Sequence, residues 1–354
     1  MSSVKAFWGK LILLCYCTLL IHGFVLNDEA VTDDPGDNNM KMFVDHDGGA
    51  DDAMGMFIVM LREECFGGFN IIGISTVNGN VNESQAFINT QRILNVADRL
   101  DIPIYRGSPS ALVMGYPSDN FFGKDGLGDH VPQPYEEIQA QGLQAAQALV
   151  ELSKQHEGNL IVVAIGPLTN IALAIKLDPN FIQRLQHLYV GAGNIHSDAY
   201  PNPEFNAQLD VEAYYIVAQN SDPNLVTFVP FSQIIDSMLM PQDWRTQTLG
   251  SIQTKIMEAQ NSYEVVSQAT IKDVWVLLDP AVMSIALNND IIESTLPSNQ
   301  SITLCGTDRG IVTNDFNSDS VNVNVINATS LPKYQQFLLD TFSCDLNQKI
   351  LGFY

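Results

Sequence analysis

The stretch from residue 41 to residue 52, KMFVDHDGGADD, runs from an apolar segment directly into four carboxylates. Residues 41–46 are predicted to form a short strand, Gly48 and Gly49 a turn, and residues 50–62 a helix, because apolar side chains recur there at helical spacing. Helix capping accounts for one or two of the aspartates, whereas four crowded negative charges repel one another. Hard cations such as Ca²⁺ prefer oxygen ligands, so this junction predicts a metal site.

Two other sites that contain clustered aspartates or a glycine turn are excluded by single residues. An EF-hand loop that began at Asp45 would need a glutamate where this chain has Met56. A phosphate-binding loop needs a lysine in its glycine-rich turn, whereas this turn is acidic. Such a turn repels phosphate but can bind the neutral hydroxyl groups of a sugar.

Strands and helices alternate along the rest of the chain. Strands are predicted at 70–77, 102–105, 159–165, 188–190 and 225–230. Helices are predicted at 83–100, 136–156 and 168–177. This alternation, with short connections, predicts an α/β fold with a mostly parallel central sheet flanked by helices on both faces.

Polar motifs directly follow four of the predicted strands, at residues 45–52, 78–80, 166–170 and 193–206. In open sheets of this type, ligands bind in the crevice outside the carboxyl ends of the strands. We therefore expect these four segments to meet at one edge of the sheet.

The N-terminal segment is typical of a secretory signal. Lys5 and Lys10 precede an apolar run over residues 11–21, which is shorter than the roughly 20 residues that a bilayer requires. We therefore predict a signal peptide at 1–23, an acidic disordered leader at 24–40, and a single domain at 41–354. The mature protein would be secreted and extracellular; an uncleaved signal anchor is the alternative.

The net charge of the chain bears on which classes of partner it can bind. The formal net charge is −23, with 40 acidic and 17 basic residues. A nucleic-acid-binding protein needs a basic surface, so we expect no nucleic-acid partner, and no membrane partner after signal cleavage.

The cysteines and the sequons bear on the secretory route. Three cysteines follow the predicted signal and permit one intramolecular disulfide, without indicating which pair forms it: Cys65, Cys305 and Cys344. Three sequons predict glycosylation sites: Asn82, Asn299 and Asn327.

Five segments resemble, in order, the motifs of the inosine–uridine-preferring nucleoside hydrolase family. In the first, residues 45–52, the family has Asp-x-Asp-Pro-Gly-x-Asp-Asp, and Gly48 here replaces the proline, which should change the stiffness of the turn but no ligand. The others are residues 76–80 (TVNGN), 166–172 (GPLTNIA), 204–213 (EFNAQLDVEA) and 279–282 (DPAV). The resemblance implies the family's α/β fold and the hydrolysis of ribonucleosides to ribose and free base.

The resemblance also implies roles for single residues. Calcium would be held by four groups: Asp47, Asp52, the backbone carbonyl of Ile165, and Asp279. Asp47 would also be the general base for a water that the cation activates. The ribose hydroxyls would be held by Asp51, Asn80, Glu204 and Asn206. Asp45 would not contact the cation itself but would orient the residues that do.

The segments that would contact the base depart from the family pattern. Leu278 stands where many pyrimidine-competent members carry a histidine that protonates the base, and Phe122 stands where a histidine is frequent. Leucine cannot donate a proton, and phenylalanine can only stack. A purine can be protonated by solvent at N7, whereas uracil has no comparable nitrogen, so we predict a purine preference. His130 and His196 are the alternative residues that could protonate the leaving base.

A further departure concerns the 5′-hydroxyl of ribose. Asp198 falls where the family usually has an asparagine that contacts this hydroxyl. Asn194 and Asn202 are the alternative residues for that contact.

Two other functions compete with the leading hypothesis. The chain could be a non-catalytic member that binds calcium and nucleosides, or a broad inosine/uridine hydrolase. Because the family forms homodimers and homotetramers, we also expect a homo-oligomer.

Overall fold

Strand β1 (Lys41–His46) lies inside a nine-stranded sheet because its apolar side chains are buried on both faces. Met42 and Val44 pack into one hydrophobic core, and Phe43 packs into another on the opposite face. The computed structural model describes residues 40–130 and 134–344, so the predicted signal peptide and residues 24–39 of the predicted leader lie outside it.

The sheet is parallel except at one edge. Its order is β10-β9-β11-β6-β5-β4-β1-β2-β3, and β9 alone runs antiparallel to both of its neighbours. The other strands of this sheet are β2 (Asn70–Thr76), β3 (Ile104–Tyr105), β4 (Leu160–Ala164), β5 (His187–Gly191), β6 (Val226–Val229), β9 (Ile292–Ile302), β10 (Val312–Asp315) and β11 (Val323–Thr329). A separate antiparallel pair consists of β7 (Met240–Pro241) and β8 (Val274–Trp275).

Helices cover both faces of the sheet, which confirms the predicted α/β class. They are α1 (Ala50–Phe66), α2 (Glu83–Val96), α3 (Ala145–Gln155), α4 (Thr169–Leu177), α5 (Phe205–Leu209), α6 (Val211–Gln219), α7 (Phe231–Met238), α8 (Lys255–Tyr263), α9 (Val265–Thr270), α10 (Leu278–Leu287) and α11 (Leu331–Phe342). One core contains side chains of α1, α10 and α11, and the other contains side chains of α3, α4 and α6. Among the described residues, no helix has both the length and the hydropathy to cross a bilayer.

Helix α3 covers only the second half of the helix predicted over 136–156, so the prediction is wrong over the first half. The backbone N–H groups of Glu136 and Ile138 donate to side-chain oxygens on α2, those of Asn95 (2.7 Å) and Gln91 (2.9 Å). Further along, the N–H groups of Gln141 and Ala145, which a longer helix would have paired internally, donate instead to the carbonyls of Ile104 (2.8 Å) and Arg106 (2.9 Å).

The structure resolves the cysteine pairing that the sequence left open. Cys65, at the end of α1, is joined to Cys344, which follows α11, and Cys305 is free and exposed. The disulfide links two segments that are 279 residues apart in the sequence.

The three sequons differ in their surroundings. Asn82 and Asn299 are exposed. Asn327 is half-buried, and its amide nitrogen, the atom to which a glycan would attach, donates to Ser294 Oγ at 3.0 Å.

Candidate active site

A cavity of about 350 Å³ lies beyond the carboxyl ends of the parallel strands. The turn after β1, the loop after β2, the residue after β4 and the segment after β5 all contribute to its wall. Its polar lining residues are Asp47, Asp51, Asn80, Asp119, Glu204, Asn206 and Asp279. Six of these seven belong to the predicted site, which the parallel topology brings together; the seventh, Asp119, was not predicted.

The turn after β1 is fixed by the carboxylate of Asp52. This buried group accepts hydrogen bonds from the backbone N–H groups of Asp47 (3.0 Å) and Gly49 (2.7 Å). Gly48 has a φ of +86°, which proline cannot adopt because its ring fixes φ near about −65°. The turn therefore takes a backbone conformation that is closed to proline, so the replacement of proline by Gly48 changes the conformation of the turn as well as its stiffness.

Asn80 connects the loop after β2 to this turn. Its backbone N–H donates to Asp47 Oδ2 at 2.7 Å. Its side-chain amide faces two acceptors, Asp47 Oδ1 at 3.2 Å and Asp52 Oδ2 at 3.3 Å, so the orientation that satisfies both places the amide nitrogen on this side. A side chain on Gly49 would overlap Asn80, and one on Gly79 would overlap Asp47. The two loops can approach this closely only because both positions are glycine.

Three carboxylates converge here, and two of them, Asp51 and Asp279, line the cavity. Oxygens of Asp51, Asp52 and Asp279 all lie within 4.8 Å of one another. Two oxygens on opposite sides of a Ca²⁺ ion would be about 4.8 Å apart, since each Ca–O distance is about 2.4 Å. This set of hard oxygen donors therefore fits a divalent cation. Asp47 and Ile165 line the same cavity but lie outside this trio, and the Ile165 carbonyl accepts a hydrogen bond from the Asn206 amide at 3.1 Å.

The same crowding shifts the protonation equilibria. Burial raises the pKa of Asp47 well above its usual value, and the charge of Asp52 raises it further. Burial and Asp52 also raise the pKa of Asp51, and burial and Asp51 raise that of Asp279. A bound cation would relieve this repulsion, because it favours the charged form of every carboxylate near it.

Asp45 lies behind the cavity, fully buried, and does not line it. Burial raises its pKa to about 6, although hydrogen bonds from Ser75 and from Asn170 (2.7 Å) lower it. Asn170 also donates to the carbonyl of Thr76 at 3.0 Å. Asn170 thus links the ends of β1 and β2 to the loop after β4, a role that its place in a quoted motif did not indicate.

Glu204 and Asn206 follow β5 and are both buried against the cavity. The Glu204 carboxylate caps α5 by accepting from the N–H groups of Asn206 (3.0 Å) and Ala207 (3.0 Å), and it also accepts from Gly193 N at 2.7 Å. The Asn206 amide nitrogen is held by backbone carbonyls, so its side-chain oxygen is left for a ligand.

Asp198 is exposed and does not line the cavity. Two residues further along the loop, Tyr200 Oη donates to Asp236 on α7. Neither alternative lines the cavity: Asn202 is exposed, and the Asn194 side chain accepts from Ser232 N at 2.9 Å and donates to the backbone carbonyl of Asn202 at 3.4 Å. The structure therefore does not bring the predicted 5′-hydroxyl residue to the site.

The opposite side of the cavity is hydrocarbon. Phe122 and Leu278 line it, as predicted for the base-binding residues, and Phe122 packs edge-on against Phe121 with ring centroids 4.8 Å apart. His130 instead stacks on Tyr263 outside this cavity, with centroids 5.7 Å apart, and His196 is exposed. Among the described residues, no imidazole lines the cavity.

A buried network behind the site had no signal in the sequence. The Glu264 carboxylate accepts from Arg245 (2.7 Å), Trp275 Nε1 (2.8 Å) and Gln260 Nε2 (2.8 Å). Gln260 Nε2 also donates to the carbonyl of Ala50 at 2.8 Å. Glu264 thus links the first turn of α1, which carries Asp51 and Asp52, to the strand that leads to Asp279.

Comparison with known proteins is consistent with this geometry. The family model described as inosine-uridine preferring nucleoside hydrolase matches residues 42–336. The chain is 36% identical over 184 residues to "Probable uridine nucleosidase 2" of Arabidopsis thaliana, covering 50% of this chain and 55% of the relative. It is 31% identical over 184 residues to "Inosine-uridine preferring nucleoside hydrolase" of Leishmania major, covering 51% and 57%. The chain thus spans about half the length of these curated relatives.

Solved structures match over more of the chain. An inosine-guanosine nucleoside hydrolase matches with a TM-score of 0.78 at 25% identity, over 86% of this chain and 98% of that one. A purine-preferring ribonucleoside hydrolase from Gardnerella vaginalis matches with a TM-score of 0.75 at 22% identity, over 86% and 98%, which supports the fold.

Proposed function

The chain belongs to the inosine-uridine preferring nucleoside hydrolase family, and we propose that it hydrolyses the N-glycosidic bond of ribonucleosides to ribose and free base. One observation carries the proposal: a single cavity joins a carboxylate and amide face, suited to a sugar and a cation, to an apolar face suited to a base. Both halves of a nucleoside can therefore be bound at once.

The cation is proposed to be Ca²⁺, held by carboxylates from the group Asp47, Asp51, Asp52 and Asp279. Bound Ca²⁺ would lower the pKa of a coordinated water and orient it. Asp47 accepts the proton of the attacking water, since its carboxylate lines the cavity in which that water would lie. The family assignment implies that Asp51, Glu204, Asn206 and Asn80 hold the ribose hydroxyls.

The proposed reaction breaks one bond and forms one bond at C1′ of the ribose. The water oxygen attacks C1′ while the bond from C1′ to the base nitrogen breaks, and the electron pair stays on the base. Positive charge develops on the ribosyl ring, as in glycosidases, and the surrounding carboxylates stabilise it. The leaving base takes its proton from solvent, because no imidazole among the described residues faces it. This favours purines, which can be protonated at N7, over uracil.

Secretion is part of the proposal. The apolar N-terminal run and the disulfide between Cys65 and Cys344 support an oxidising compartment. Exposed Asn82 and Asn299 are the sequons best placed for glycosylation. A homo-oligomer is proposed from the family alone, and sedimentation of the purified protein would test it.

The test is hydrolysis of inosine, guanosine, adenosine, uridine and cytidine by the purified mature protein, with and without a chelator. We expect free base from purine nucleosides and loss of activity on chelation. Binding without release of any base would contradict the proposal and favour the non-catalytic alternative. Equal turnover of uridine and inosine would contradict the purine preference.

A further inference from the structure

One charged side chain in the cavity lining belongs to the segment that also supplies Phe121 and Phe122 to the apolar wall. Among the lining residues that the structure describes, the ionisable groups other than Asp119 are Asp47, Asp51, Glu204 and Asp279. Those four form the carboxylate face. Asp119 instead precedes Phe121 and Phe122 on the loop that forms the apolar wall, so it would face the base rather than the sugar.

The loop around Asp119 is held in place. Asp119 Oδ1 accepts from the backbone N–H of Phe121 at 2.9 Å. Ser118 donates its hydroxyl to the carbonyl of Asn80, which ties the loop to the sugar side of the site. Asp119 Oδ2 accepts no hydrogen bond from the described residues, and the side chain is exposed at the cavity. Oδ2 is therefore free for a ligand, and Oδ1 can accept a second hydrogen bond because each carboxylate oxygen has two lone pairs.

An ionised carboxylate only accepts hydrogen bonds, so it distinguishes bases by where their edges carry N–H groups. Guanine presents two adjacent donors, N1–H and the 2-amino group. Hypoxanthine presents only N1–H, and N1 of adenine is itself an acceptor, which a carboxylate repels. A site that pairs with a polar group of its substrate also rejects an analogue that lacks this group.

We propose that Asp119 is a specificity-determining residue that selects guanosine by accepting from N1–H and the 2-amino group. This inference rests on the proposed function. Because Asp119 is exposed, water competes for the same carboxylate, so we expect a moderate discrimination of about tenfold, typical of one hydrogen bond to a charged group.

The test compares kcat/KM for guanosine, inosine and adenosine in the wild-type protein, Asp119→Asn and the control Asp319→Asn. Asparagine keeps an oxygen for the Phe121 N–H but removes the charge, and Asp319 is exposed and does not line the cavity. Asp119→Asn should lower the guanosine-to-adenosine ratio about tenfold, and the control should leave it unchanged. 1-Methylguanosine, which lacks N1–H but keeps the 2-amino group, should be a poorer substrate than guanosine for the wild type and should lose less activity than guanosine in Asp119→Asn.

The possible results distinguish a failure of the proposed role of Asp119 from a failure of the proposed hydrolase activity. An unchanged ratio in an active Asp119→Asn protein, or an equal loss on guanosine and adenosine, would overturn the role of Asp119 and leave hydrolysis intact. A wild-type protein that hydrolyses none of the three nucleosides would overturn both.

Discussion

One side of the cavity consists of carboxylates and amides, and the other consists largely of hydrocarbon. Most of the polar groups come from residues that directly follow parallel strands, and backbone N–H groups fix several of their oxygens, as in Asp52 and Glu204. The apolar wall comes from three separate segments within 121–122, 231–239 and 271–278. Fixed charges need defined geometry, whereas a wall that contacts a flat base mainly needs apolar area.

This difference explains where the chain keeps its family pattern and where it departs from it. The motif at 45–52 retains all four aspartates, because the loss of one would change the charge and the hydrogen bonds of the site. Phe122 and Leu278 replace the expected histidines with side chains that are buried and still line the cavity. Changes on the polar side should therefore affect turnover, and changes on the apolar side should affect the choice of base.

The largest expected effect is that of Asp47→Asn. Removing the proton acceptor should lower kcat/KM about 10³-fold, the usual contribution of a general base. The metal-free variant should also have a higher Tm than the wild type, because one of the repelling buried charges is gone. Kinetics and thermal unfolding, with Asp319→Asn as the charge-matched control, would check both results. Retention of full activity would contradict the assignment of Asp47.

The next effect is a pH-dependent stabilisation by calcium. The folded-state pKa values of Asp47, Asp51 and Asp279 are raised, so without metal the folded state holds more protons and loses stability as pH rises. Calcium binds the charged forms, and a ligand at about 1,000 times its Kd stabilises by about 4 kcal/mol. The difference in Tm between calcium and chelator should be largest near neutral pH and shrink as pH falls.

Thermal unfolding in calcium and in chelator, measured from neutral to acidic pH, would give this difference in Tm. Subtracting the two scans at each pH removes groups remote from the site, such as His187, whose pKa burial lowers to about 4. A difference in Tm that does not depend on pH would contradict the linkage between calcium and these carboxylates.

The smallest expected effect is that of Leu278→His on the apolar side. An imidazole here could protonate a pyrimidine, so uridine turnover should rise relative to inosine by about tenfold, less than an evolved general acid provides. Leu278→Met keeps the volume without a proton donor and serves as the control. If both variants give the same uridine-to-inosine ratio, the missing histidine does not set the preference.

Much of the polar half could be predicted from the sequence. Asp47, Asp51 and Asp52 are close in sequence and follow a strand, and the parallel order of the strands brings Asn80, Glu204 and Asn206 to the same edge. Asp198 shows the limit, because it is exposed and does not line the cavity, while Tyr200 of the same loop contacts Asp236. Nothing near Asp198 in the sequence indicates that contact.

The sequence alone determined the alternation of strands and helices, the carboxylate cluster and the family, because these depend on short-range periodicity and on motifs in order. Only the tertiary structure decided the pairing of Cys65 with Cys344 and the network of Glu264 behind α1. It also placed Asp119 beside the apolar wall. These features join residues that are far apart in the chain or depend on how a loop folds back. The spacing of side chains along the sequence does not indicate such contacts.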